Sequence, residues 1–381
     1  MTTGAGRSPH PTSIAGVSVS LRVSVLDQSP IAEGSTGAQA LRNTVDLARL
    51  ADELGFHRYW VAEHHGGPML AGASPEVLIG PIAAATTALR VGSGGVMLPH
   101  YSPLKVAESF TMLAGLFPGR IDLGLGRAAG TDPLTTFALQ PDRRQAAPDD
   151  FPQKLAELLA YLDGSLPEDH PFHRLGASLP GRPERPEPWL LGSSPQSAAW
   201  AGQLGLPYAF ADFINRDGAG IAAAYRTEYA RSQERGDHRT AVAAWALAAD
   251  SAEEAEYLAS SSRMSFALLR QGELIPVPPP EKATRFLSER SSLAAAARRA
   301  ILGTGETVRD GLLELAEAYG AGEVIVVTIT HDHQARRRSY ELIASAFDLP
   351  RRPPAGAPGS GADDEPDDAS RRPVGAAARA G

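Results

Sequence analysis

Eight times between Leu21 and Phe347 a short apolar run gives way to a stretch of helical period, and this alternation constrains the fold more than any other feature. Residues 21–26, 57–62, 90–98, 120–126, 189–191, 207–211, 241–248 and 323–328 read as strands. Helical spacing follows them. In 38–54, for instance, Leu41, Val45, Ala48 and Leu54 recur at helical spacing, and Gly55 closes the helix. Strands joined through helices run parallel, and eight such units in about 330 residues fit a (β/α)8 TIM barrel. An open doubly wound sheet would ask for a Gly-rich phosphate loop after the first strand. The residues there, DQSPIAEGSTG, lack that spacing. The expected architecture is α/β: a (β/α)8 barrel over residues 21–348, with insertions after strand four (128–148) and strand seven (271–300). The Gly, Ser, Thr and Pro-rich residues 1–20 and the low-complexity residues 349–381 read as a disordered extension and a disordered tail.

The 381 residues carry a net charge of −8, which disfavours a nucleic-acid partner. There is no cysteine, so disulfides, thiolate catalysis and Cys-ligated zinc are excluded. No apolar run reaches the roughly 18–20 residues of a membrane span. The first twenty residues lack the apolar core of a secretory signal. These features predict a soluble, cytoplasmic protein.

Barrels of this kind carry their chemistry at the carboxyl ends of the strands. Strand four, in RIDLGLGRAAGT, ends at Arg127. A guanidinium there needs an anion, either a ligand phosphate held in a bidentate grip or a nearby carboxylate. After strand five, GSSPQS places Ser193, Ser194 and Ser197 around a helix start. Free backbone N–H groups at such a start favour an anion, and a single serine there also serves as a plain N-cap. Strand two is followed by Glu63, His64 and His65. By strand alternation Glu63 and His65 can share a side, and His64 joins them only if the strand has ended. A metal site, for which the spacing shows no third ligand, an acid–base histidine and structural hydrogen bonding all stay open. Gly94-Gly95 inside the third strand asks for something close to the backbone, either a flat ring or simply a β-bulge. Gln28 follows strand one. Trp60 and Met97 read as core, and His331 and His333, flanking the candidate N-cap Asp332, as surface.

Taken together, LDQSPIAEG, LARLADELGFHRYWVAEHHG, ALRVGSGGVMLPHYSPLKVAE, FPGRIDLGLGRAAGTDP, LGSS, LGLPYAFA and VIVVTITHD resemble the bacterial-luciferase-like flavin monooxygenases, closest to their short single-chain, antibiotic-tailoring group. The resemblance runs from about Leu21 to Phe347 and implies a barrel that binds FMN. It implies that Arg127, Ser193, Ser194 and Ser197 hold the flavin phosphate. It places His64 at the reacting face of the ring, and it puts a non-proline cis peptide at Gly94-Gly95 against the ring, with Met97 on the same strand. Two departures stand out. The reactive cysteine of luciferase is missing, so light emission is not implied. Pro195 stands where relatives usually carry glycine, which removes one N–H donor from the phosphate turn.

The implied activity is oxidation of a small organic substrate by molecular oxygen and reduced FMN, the latter supplied by a separate flavin reductase. His64 would manage the proton, with Gln28 and Glu63 orienting it. A homodimer through the second and third helices is implied as well. The rival readings are a deazaflavin-dependent oxidoreductase on the same barrel, a non-catalytic flavin-binding protein, and a phosphosugar isomerase. The last would put its phosphate after strands seven and eight, where no Gly/Ser-rich turn occurs.

Overall fold

The structure is a computed structural model that describes residues 21–127, 132–140, 142–144, 150–215, 217–232, 238–290 and 300–355. Residues 1–20 and the part of the expected tail beyond 355 lie outside the described residues. Eight parallel strands close into a barrel: β1 (Arg22–Asp27), β2 (Arg58–Val61), β3 (Arg90–Met97), β4 (Ile121–Gly126), β5 (Glu187–Gly192), β6 (Tyr208–Ala211), β7 (Thr240–Ala248) and β9 (Glu323–Val327). Each pairs with the next, β7 pairs with β9, and β9 returns to β1. A short strand the sequence reading did not anticipate, β8 (Ile301–Gly303), extends the carboxyl end of β7 outside this ring.

Alternation along the strands separates two cores. Val23, Val25, Tyr59, Val61, Val91, Ile121, Leu123, Val242, Val324 and Val326 face outward into the helices, while Trp60, Trp189, Ala241, Ala243, Trp245, Ile325 and Val327 fill the barrel. The helices that cover the outer face are α1 (Gly37–Glu53), α2 (Pro75–Ala84), α3 (Pro103–Leu116), α5 (Phe151–Asp163), α7 (Pro195–Gln203), α8 (Gly218–Ser232), α9 (Ala252–Leu269), α11 (Gly305–Tyr319) and α12 (His333–Ala346). Between them stand two short helices, α4 (Pro133–Leu139) and α6 (His173–Gly176), and one helix of the expected second insertion, α10 (Pro280–Ser288).

Three local features have physical causes. Helix α2 stops at Ala84, because the buried Asp52 carboxylate accepts the N–H groups of Thr87, Ala88 and Leu89 and draws them out of helical register. The expected insertion after strand four carries α4, which Asp132 caps by accepting from Leu134 N and Thr135 N. Residues 349–352, assigned by composition to the tail, are anchored. Arg352 N donates to Glu53 O at 2.8 Å, and its guanidinium reaches Asp52 and Phe56 O.

The amino-terminal end of the barrel is filled by charge. Arg58 is 1% exposed and donates to Asp122 at 2.7 Å and to Glu323 at 2.6 Å. Trp60 Nε1 and Arg90 also donate to Asp122, and Arg90 reaches Glu187. The guanidinium of Arg58 lies 4.6 Å from the Trp189 ring centroid. Next to it, burial and the Arg58 charge push His57 from its ordinary 6.5 down to about 3, so the neutral imidazole sits beside the Arg58 guanidinium, 3.2 Å away. Because the unfolded chain then binds a proton that the folded chain refuses, stability is complete above about pH 6.5 and declines as pH falls towards about 3. His64 and His333, also lowered, act in the same direction. A lower urea midpoint at pH 5.0 than at pH 7.5 is expected. His57→Asn should remove part of that difference, and an unchanged difference would show that His57 does not contribute.

Candidate active site at the carboxyl end of the barrel

Strand β2 ends at Val61, so Glu63, His64 and His65 lie in extended chain beyond it. Backbone bonds from Ala62 N to Asp27 O and from His64 N to Gly72 O hold this segment between the loops that follow β1 and β2. Glu63 and His65 do share a side: Glu63 Oε1 accepts from His65 Nε2 at 2.8 Å. The same oxygen accepts from Tyr101 OH at 3.0 Å, and Oε2 accepts from Met97 N at 2.9 Å. The expected orienting of His64 by Glu63 is therefore revised. The carboxylate brackets the end of β3 and the His65 ring instead. The sequence places Tyr101 just beyond the third strand, but nothing around it assigns the tyrosine a role.

Among the described residues His64 Nδ1 is buried and has no hydrogen-bond partner, and the same holds for Gln28 Oε1. Burial, helped by His65, lowers His64 from 6.5 to about 4, so its ring is uncharged near neutral pH. Gln28 is presented by a tightly held turn. Asp27 is fully buried and accepts from Arg336 on α12, from Tyr59 OH and from Ser29 N, while Ser29 adopts a left-handed φ of 51° and shares a hydrogen bond with Thr44. Arg336 holds the Asp27 carboxyl below its usual range against the opposing effect of burial.

Strand β3 slips register against β4 between Ser93 and Val96, and the Gly94-Gly95 peptide is cis. Beyond Arg90, these two glycines are the half-buried residues of an otherwise buried strand. Their missing Cβ atoms are required by the protein itself. A Cβ on Gly95 would fall 2.8 Å from Gly124 O, and one on Gly94 2.5 Å from Leu26 Cδ1. Met97 is buried at the end of the same strand.

Arg127 is exposed, with its guanidinium 5.7 Å from the Trp200 ring centroid on α7, so the end of β4 lies beside the helix that follows β5. Ser194 is the N-cap of α7, accepting from Ser197 N at 3.3 Å, and Pro195 occupies the first turn. Ser193 O accepts from Asn215 Nδ2 at 2.9 Å. Ser197 departs from expectation. Its hydroxyl is buried between Ser194 O and Tyr208 OH, at 3.0 and 2.9 Å, so it braces the turn from beneath. The exposed members of the turn are Ser194, Pro195 and Gln196.

His331 and His333 are only half buried but not idle: they bond to Glu33 O and Asp46 and line a cavity between the loop after β1 and α1. Asp332 caps α12 as its position suggested. Among the described residues no group of three or more His, Asp or Glu side chains is arranged to hold a metal ion. Likewise, no helix among them is long and apolar enough to cross a membrane.

Comparison with known proteins places this geometry in context. The profile of the luciferase-like monooxygenases matches residues 21–322. A luciferase-like monooxygenase of Escherichia coli K12 is 43% identical over 325 residues, 84% of this chain and 95% of that one. The crystal structure of apo-MsnO8 superposes with a TM-score of 0.80 at 39% identity, covering 87% of this chain and all (100%) of the other. The oxygenating constituent of 3,6-diketocamphane monooxygenase of Pseudomonas putida, solved with FMN, shares the fold at a TM-score of 0.66 and 19% identity, covering 86% and 98%.

Proposed function

The chain belongs to the luciferase-like monooxygenase family, and on that premise we propose that it uses reduced FMN and molecular oxygen to oxidise a small organic substrate. The observation that carries this reading is the pair of buried, unpartnered polar atoms, His64 Nδ1 and Gln28 Oε1, at the same end of the barrel as the half-buried Gly94-Gly95 backbone. Buried polar atoms are ordinarily satisfied, and a bound ring with polar edges would satisfy these. Arg127 and the Ser193-Ser194 turn would hold the flavin phosphate, with Ser197 and Tyr208 keeping the turn in shape. Gly94, Gly95 and Met97 would form the floor under the ring.

When bound, reduced FMN supplies the two electrons by which one oxygen atom of O2 enters the substrate and the other leaves as water. The chain's own part is to position and to exclude. Uncharged His64 can take up a proton at Nδ1, Gln28 fixes the orientation of the polar partner, and Glu63 holds Met97 and Tyr101 still. Backbone pairing of Ile31 with Met69 and Val277, and of Glu33 with Val277, ties the loops after β1 and β2 to the segment after α9 into one wall against water. A separate reductase would deliver the reduced flavin. Val77 on α2 and Leu116 on α3 are each 69% exposed and suit the expected homodimer.

The test is direct. FMN should bind, seen as a shift in its visible spectrum, and oxygen uptake should then depend on substrate. Turnover that continues without oxygen would refute the reading. Arg127→Ala should weaken FMN binding about 10- to 100-fold, the worth of charged hydrogen bonds to a phosphate. Riboflavin, which has no phosphate, should bind both proteins alike; an equal loss for the two flavins would remove Arg127 from the phosphate site.

A further inference from the structure

Among the described residues three donors from two neighbouring strand ends converge on one carboxylate, and they do so around His64. Glu63 is 1% exposed, and burying an ionised carboxylate is costly unless donors meet it. His65 Nε2 and Tyr101 OH both donate to Oε1, at 2.8 and 3.0 Å, and Met97 N donates to Oε2 at 2.9 Å. The bond between Glu63 and His65 closes a clasp across His64, the residue between them. No described residue bonds to His64 Nδ1, so the ring takes its place from packing and from the backbone that the clasp holds. Met97 and Tyr101 fasten the clasp to the end of β3. That end is itself pinned: Leu98–His100 form a single 3-10 turn, Tyr101 N donates to Leu98 O at 3.0 Å, and Lys154 Nζ of α5 donates to Pro99 O at 2.8 Å. The His100 ring stands edge-on to His65, centroids 6.1 Å apart at 89°. Tyr101 is half-buried, and burial together with the Glu63 charge pushes its phenol well above the ordinary 10, so it stays a donor at neutral pH. Of the three donors it is the one that a substitution removes without touching the histidine pair or the backbone.

We infer that Tyr101 is a positioning residue for His64: its hydroxyl, acting through Glu63, ties the clasp around His64 to the end of β3. This rests on the monooxygenase reading for what His64 does there, but the positioning can be read without turnover. Tyr101→Phe removes the hydroxyl and keeps the ring. The first readout is the titration of the His64 ring by nuclear magnetic resonance, its signal assigned by absence from the His64→Ala protein. Burial holds natural His64 at about 4. A loosened clasp admits water, so in Tyr101→Phe the titration should move up towards 6.5 by about one pH unit or more, with His65, the other influence on it, unchanged. The second readout is kcat for substrate-dependent oxygen uptake by FMN-loaded protein. It should fall about tenfold, the low end for a lost hydrogen bond to a charged group. FMN affinity should stay within about threefold, because the phosphate grip proposed at Arg127 and Ser194 belongs to other strand ends. In the His64→Ala protein the same change should cost less than about twofold, since the residue to be positioned is gone. Replacing Tyr101 by 4-aminophenylalanine, which puts an N–H donor at the same point, should restore at least about a third of the natural kcat. A Tyr101→Phe protein whose His64 titrates as in the natural protein overturns the inference, as does a tenfold loss that persists in the His64→Ala background. A shifted titration in a protein that takes up no oxygen with FMN would count against the monooxygenase reading and leave the positioning standing.

Discussion

Asp122→Ala is expected to cost about 3–5 kcal/mol of stability, the range for removing one partner of a buried ion pair. Asp122 is 0% exposed and accepts from Arg58 at 2.7 Å, from Trp60 Nε1 at 2.9 Å and from both ends of the Arg90 fork. Its loss would strand the Trp60 N–H and leave Arg58 with Glu323 as its carboxylate, inside a barrel end that water does not reach. Against a typical total of about 5–15 kcal/mol, that is a large fraction. Asp122→Asn keeps the shape and two acceptor lone pairs and should cost clearly less. Urea denaturation followed by circular dichroism measures both. A loss under about 1 kcal/mol for the alanine protein would mean that the barrel end hydrates freely and the network is dispensable. Because the network lies at the end of the barrel opposite the candidate site, the folded fraction of the variant should bind FMN as the natural protein does.

His64→Ala is expected to lower kcat/KM for substrate-dependent oxygen uptake by about 100- to 10,000-fold, the usual range for a positioned acid–base group, and to change FMN affinity only a few-fold. The natural protein should show a flat rate between about pH 6 and 8, since a ring with a pKa of about 4 is already neutral there. The rate should fall on acidification as protonation blocks Nδ1. The alanine protein should lose that acidic limb. A variant within threefold of the natural rate, with the limb intact, would assign the proton to another group. Glu63→Gln separates position from proton transfer. Its single carbonyl oxygen can keep either the site of Tyr101 and His65 or that of Met97 N, so a partial loss of rate with the acidic limb intact supports its bracketing role.

Much of this site could be read from the chain because it depends on local spacing. The turn after β5 is a helix start in any fold that keeps GSSPQS between a strand and a helix, and Ser194 caps it accordingly. Glu63 and His65 meet because residues two apart share a side of extended chain. What the residues alone did not disclose was which groups would be used up by neighbours. Ser197 reads like Ser194 until Tyr208, eleven positions on, is folded over it. The glycine pair reads equally as a floor for a ring or as a plain bulge, and only the fold shows Gly124 O and Leu26 close against it from the protein side.

The order of strands and helices, the outward and inward faces of each strand and the position of Arg127 at a strand's carboxyl end were determined by the sequence itself, because they follow from periods of 2 and 3.6 residues that need no distant partner. The tertiary structure alone decided the pairing of Asp27 with Arg336, 309 positions away, the anchoring of Arg352 below α1 and the meeting of Phe213, Trp245 and Phe266. It also decided that, among the described residues, His64 Nδ1 and Gln28 Oε1 would be two of the buried polar atoms left without a hydrogen-bond partner. Periodicity tells a side chain which way to face. What it faces depends on closure of the barrel, which brings β9 against β1 and sets the ends of distant segments side by side.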